Sequence, residues 1–139
     1  MKDTIHIDGR EITLVSEHTK PKVFEFISTI VKKVAETDKY FRYFSKLEIS
    51  IDSFKNDRAS SLGYVSPQEF FSGDNIIHIH QGNLVMSVND SGVLNSRRMA
   101  AAVEETLEHE IKHLWQLKVS KAAKAVHVSE NRLKAVLRE

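Results

Sequence analysis

His109-Glu110-Ile111-Lys112-His113 places two imidazoles four residues apart, with a carboxylate beside the first. On an α-helix, residues i and i+4 stand one turn apart on the same face. Two imidazoles spaced this way can converge on one divalent cation. Glu110 can then reach water held by that cation. The five residues would supply two metal ligands and a general base. Cysteine is absent from the chain, so no thiolate is available and any metal must be held by His and carboxylates.

This chemistry requires a helix, and the surrounding pattern predicts one from about Arg97 to about Lys118, capped by Asn95 or Ser96. Met99, Val103, Leu107, Ile111, Leu114 and Leu117 recur at helical spacing and define an apolar sector. Glu104, Glu108 and Lys112 fall on the opposite, solvated face. Glu110 falls inside the apolar sector, and His109 and His113 run along its border. A carboxylate aimed at a core is costly unless it is paired or held near a metal. Local violations of patterning of this kind tend to mark functional sites.

The elements before this helix are also legible. Ile5 to Val15 reads as a hairpin with Asp8-Gly9 at its turn. Thr19 is the expected cap of a first helix, with Pro21 in its opening turn. Val23, Phe26, Ile27, Ile30, Val31 and Val34 carry that helix's apolar face. Leu47, Ile49 and Ile51 alternate with polar residues, as in a half-buried strand. Tyr64-Val65 begins a short strand before Pro67. Asn75 to Gln81 reads as a strand, with His78 and His80 sharing one side. Leu84 to Val88 is a further candidate strand. No linker or repeat interrupts the pattern, so a single domain over 1–139 is expected.

With Leu114-Trp115-Gln116 following it, the motif resembles the active helix of the zincin metallopeptidases. The order of a helix, several strands and then the motif helix is also similar to a minimal zincin domain. The resemblance spans roughly Lys20 to the C-terminus, and the five-residue motif is its specific part. It implies an α+β fold with an N-terminal helix, a small mostly antiparallel sheet, the motif helix and a C-terminal helix. It implies Zn²⁺ as cofactor, His109 and His113 as ligands, Glu110 as catalytic base and a peptide or protein as substrate. The metzincin branch would need Gly at position 116 and His at 119, where this chain has Gln116 and Val119. The gluzincin branch takes a Glu from a following helix. Glu130 is then the expected third metal ligand and His127 the fallback. The strand Asn75 to Gln81 would border the cleft, and Tyr64, His78, His80 or His127 would stabilise the oxyanion. His78 and His80 are also candidates for a second metal site.

The tail carries a competing pattern. Lys121 to Val136 resembles a helix-turn-helix of DNA-binding proteins, with Ala122 and Ala123 at the close approach and Val126, Val128, Leu133 and Val136 at apolar positions. From Lys118 onward there are six Lys/Arg against two Glu, which suits phosphate contact. His127 departs from the Gly common at the turn. The alternative function is therefore a nucleic-acid-binding or partner-binding module.

Bulk properties limit the remaining classes. At 139 residues, with 41% hydrophobic and 28% charged residues, the chain can bury a sizeable core. A net charge of +1 gives no overall attraction to polyanions. No apolar run approaches a membrane span, and the first residues lack a signal peptide's apolar segment. A cytoplasmic location, without membrane partners, is the expectation.

Overall fold

The computed structural model describes residues 1–52, 62–80 and 96–138, with the backbone alone from 125 onward. Five strands form one sheet in the order β1-β2-β3-β5-β4, with helices packed on its apolar face. β1 (Lys2–Ile7) and β2 (Arg10–Val15) form the expected hairpin. Asp8 and Gly9 at its turn both have positive φ, 49° and 78°. That is the backbone a two-residue hairpin turn requires, and Asp and Gly adopt it at low cost.

α1 (Pro21–Thr37) buries Phe24, Ile27, Ile30, Val31, Val34 and Ala35. Its N-cap is Lys20 rather than the expected Thr19, and no side chain caps it. The Thr19 hydroxyl instead donates to Asp52 Oδ1 at 2.7 Å. A tertiary acceptor has displaced the local capping role. After a 3₁₀ turn at Phe41–Tyr43, the chain enters β3 (Lys46–Ile51). The α1 crossover makes β3 parallel to β2, with Ile12 beside Leu47 and Leu14 beside Ile49.

β4 (Gly63–Tyr64), α2 (Pro67–Phe71) and β5 (Ile76–Ile79) complete the sheet. β5 runs parallel to β3, and β4 runs antiparallel to β5. The sheet is thus mixed, with two parallel and two antiparallel pairings. This corrects the expected mostly antiparallel sheet. Strand direction follows from where each crossover returns, which short-range patterning does not encode. The candidate strand Leu84 to Val88 lies outside the described residues.

α3 (Ser96–Arg138) is one helix of 43 residues. The expected motif helix ending near Lys118, followed by a turn and a separate C-terminal helix, is not what forms. The physical reason is local. No Gly or Pro lies between Ser96 and Arg138, and Ala122, Ala123 and Ala125 favour continuation. The same continuity removes the turn that a helix-turn-helix needs at His127. No helix among the described residues is long and apolar enough to cross a membrane.

One hydrophobic core joins these elements. Ile12, Leu14, Ile49, Ile77 and Ile79 from the sheet meet Ile27 and Val31 of α1 and Val103, Leu107 and Ile111 of α3, all at 1% exposure or less. Full burial of each such side chain stabilises the fold by about 1.5–3 kcal/mol. The first five turns of α3 are therefore held against the sheet, and the motif lies at their end.

Candidate metal centre

The apolar sector of α3 is buried as its spacing predicts, through Met99, Val103, Leu107, Ile111 and Leu114. Glu110 is buried with it, at 6% exposure, while His109 stands open to solvent and His113 is partly exposed. The Nε2 atoms of His109 and His113 lie 2.9 Å apart, with the rings perpendicular. Two Zn–N bonds of about 2.05 Å at a tetrahedral angle would set the nitrogens about 3.3 Å apart. A few tenths of an ångström of ring rotation separates the two geometries. The donor set therefore fits a small divalent cation.

His113 Nδ1 donates to Gln116 Oε1 at 3.1 Å. That bond keeps the proton on Nδ1 and leaves the lone pair on Nε2, the atom facing His109. Sequence reasoning missed this role for Gln116. The i,i+3 spacing to His113 was the available signal.

Glu110 Oε1 lies 3.9 Å from His109 Nε2. Burial pushes the Glu110 carboxyl above the usual carboxylate range, and His109 and His113 pull partly in the other direction. His109, Glu110 and His113 bring their ligand atoms within 4.8 Å of one another. Among the described residues they are the one such group of three or more metal-ligating side chains.

The other ligand expectations do not follow from this fold. His127 and Glu130 continue along the same helix as His113. At 1.5 Å rise per residue they stand about 21 Å and about 25 Å from His113 along the axis. The reversal that would return them to the histidine pair is absent from α3.

β4 crosses beside the motif at very short range. A Cβ on Gly63 would lie 2.7 Å from Thr106 Cγ2, 2.8 Å from the His78 carbonyl oxygen and 3.6 Å from Glu110 Cγ. Cavities open on both sides of this contact. One, of about 460 Å³, is lined by Tyr64, Val65 and Pro67 opposite Glu110, His113 and Leu117. The other, of about 390 Å³, lies between Leu62 and Thr106, His109 and Glu110. Gly63 and Glu110 border both. The strand lining both cavities is thus β4, while the expected strand, seen as β5 (Ile76–Ile79), lies one position further into the sheet and lines neither.

His78 and His80 do not form a second metal group among the described residues. His78 Nε2 donates to Glu69 Oε1 at 2.6 Å, and His80 is buried near the Tyr64 ring. Ile77 and Ile79 point into the core, so strand alternation turns His78 to the opposite face of the sheet. The Tyr64 ring is stacked on His78 there, 4.3 Å between centroids and 4° from parallel. Tyr64 also lines the cavity bordered by Glu110 and His113.

No protein-family model, curated protein or solved structure matches this chain.

Proposed function

We propose that this protein is a zinc-dependent metallopeptidase of zincin type. His109 and His113 hold the ion through Nε2, and Glu110 serves as general base. The observation that carries this reading is the 2.9 Å approach of two imidazole Nε2 atoms beside a buried carboxylate on the same helix. When bound, zinc supplies Lewis acidity toward a scissile carbonyl and an activated water at neutral pH.

The chain's own residues do the rest. Gln116 fixes the His113 tautomer, so that Nε2 presents its lone pair. Burial among apolar neighbours raises the basicity of the Glu110 carboxylate. Glu110 takes the proton of the attacking water on a carboxylate oxygen and passes it to the nitrogen of the departing amine. β4 and the first turns of α3 wall the cavities in which a peptide would lie.

Two measurements on one variant test the proposal. Wild-type protein supplied with zinc binds one ion per chain and cleaves a mixed pool of unstructured peptides. Glu110→Gln retains the ion and loses about 10²–10⁴-fold in hydrolysis rate. Wild-type protein without zinc affinity, or a Glu110→Gln variant with full activity, overturns the reading.

A further inference from the structure

β4 is two residues long, yet it forms the wall common to both cavities beside the motif. A strand this short gains little from ladder hydrogen bonds. On the side facing α3 it presents Gly63, which has no side chain with which to grip the helix. Its position must be held in part from the other face. The contacts there form a chain through three elements. Tyr64 of β4 stacks on its cross-strand partner His78 of β5. His78 donates to Glu69 of α2. α2 begins three residues after Tyr64, with Ser66 capping it by accepting from the Glu69 backbone N–H. The segment β4-α2-β5 is thus tied back onto itself.

We infer that the Tyr64–His78–Glu69 chain of contacts is a positioning device that sets the height of β4 above the motif helix, and so the width of the substrate cleft. None of the three acts on the reacting atoms. Tyr64 orients the strand, His78 orients the Tyr64 ring, and Glu69 fixes the His78 imidazole. A ring stack between cross-strand partners is strongest when the rings cannot rotate, and the carboxylate supplies that restraint. The inference rests on the peptidase reading for its kinetic consequence, but not for its structural one.

The test combines steady-state kinetics on a peptide substrate, zinc content, and amide hydrogen exchange at Gly63 and Tyr64. Tyr64→Ala and His78→Ala each raise KM about five- to tenfold, with kcat and zinc content within about twofold of wild type. Exchange at Gly63 and Tyr64 accelerates in both. Tyr64→Phe keeps the ring and leaves amide exchange at Gly63 and position 64 at the wild-type rate. Glu69→Gln, the mildest change, shifts KM in the same direction by less. The Tyr64→Ala/His78→Ala double variant is no worse than either single variant, because both break one contact. Unchanged KM and exchange overturn the inference, as do additive effects or joint loss of kcat and zinc. If zinc-loaded wild type cleaves no peptide, the peptidase reading fails on its own. Unchanged exchange would then still refute the positioning role.

Discussion

Gly63 lies so close to the Thr106 side chain that no side chain fits at position 63: a Cβ there would lie 2.7 Å from Thr106 Cγ2. This contact limits how closely β4 can approach the motif helix. It explains how a buried Glu110 can border two cavities at once, since only a glycine lets the strand lie across the helix at this height.

Gly63→Ala should therefore push β4 off α3. The expected cost is about 1–3 kcal/mol, typical of overpacking, read as a lower denaturation midpoint. Thr106→Ala in the same chain should recover only part of it. The His78 carbonyl oxygen, 2.8 Å from the added Cβ, is backbone and cannot be trimmed. Full recovery in the double variant would show that Thr106 alone limits the approach.

Gln116 holds His113 by its Nδ1 proton. Gln116→Leu, similar in size but without an acceptor, should weaken zinc binding about 10–100-fold while leaving thermal stability of the metal-free protein unchanged. A competition titration against a chelator of known affinity measures this directly. Unaltered affinity would mean that His113 needs no orienting partner.

Asp52 ties the end of β3 to the segment that enters α1. It accepts from the Ser16 and Thr19 hydroxyls and from the His18 backbone N–H. It does so in a left-handed conformation, φ 73°. Burial raises its pKa, but these hydrogen bonds outweigh burial and hold the carboxyl below its ordinary value. A carboxylate depressed in the folded state adds stability above its unfolded pKa, and that stability is lost as pH falls through the folded value. Asp52→Asn keeps the shape and the tolerance for positive φ. It should cost about 1–3 kcal/mol at pH 7. The gap from wild type should close as pH falls below 3.8, the ordinary value for Asp. Urea melts at several pH values would reveal a gap that fails to narrow.

Glu130 lies seventeen residues beyond His113 on the unbroken helix. Glu130→Ala should leave zinc stoichiometry and affinity unchanged. Loss of zinc from the folded variant would require α3 to bend back on itself. Metal analysis of the purified variant is sufficient.

Several features of the site were already written in local spacing. The i,i+4 histidines, the inward direction of Glu110 and the apolar sector of α3 all depend on 3.6-residue periodicity, which a sequence carries without help from distant residues. The Asp8-Gly9 hairpin is local for the same reason. The unbroken run of α3 was legible too, in the absence of any Gly or Pro from Ser96 to Arg138. A third ligand from Glu130 would need a reversal within that run, and no residue there favours one.

What only the tertiary structure decided involves partners far apart in the chain. Thr19 is a good helix cap by residue type, but Asp52, thirty-three residues on, takes its hydroxyl. Nothing in the residues beside Gly63 announces that Thr106 packs against it. His78 and His80 read as metal candidates until Glu69 and Tyr64 are seen to engage them. The sequence by itself determined that two imidazoles and a buried carboxylate share one helix, because helical geometry is set residue by residue. Packing decided which strand lies over them and how closely, because that depends on crossovers and on a single missing side chain.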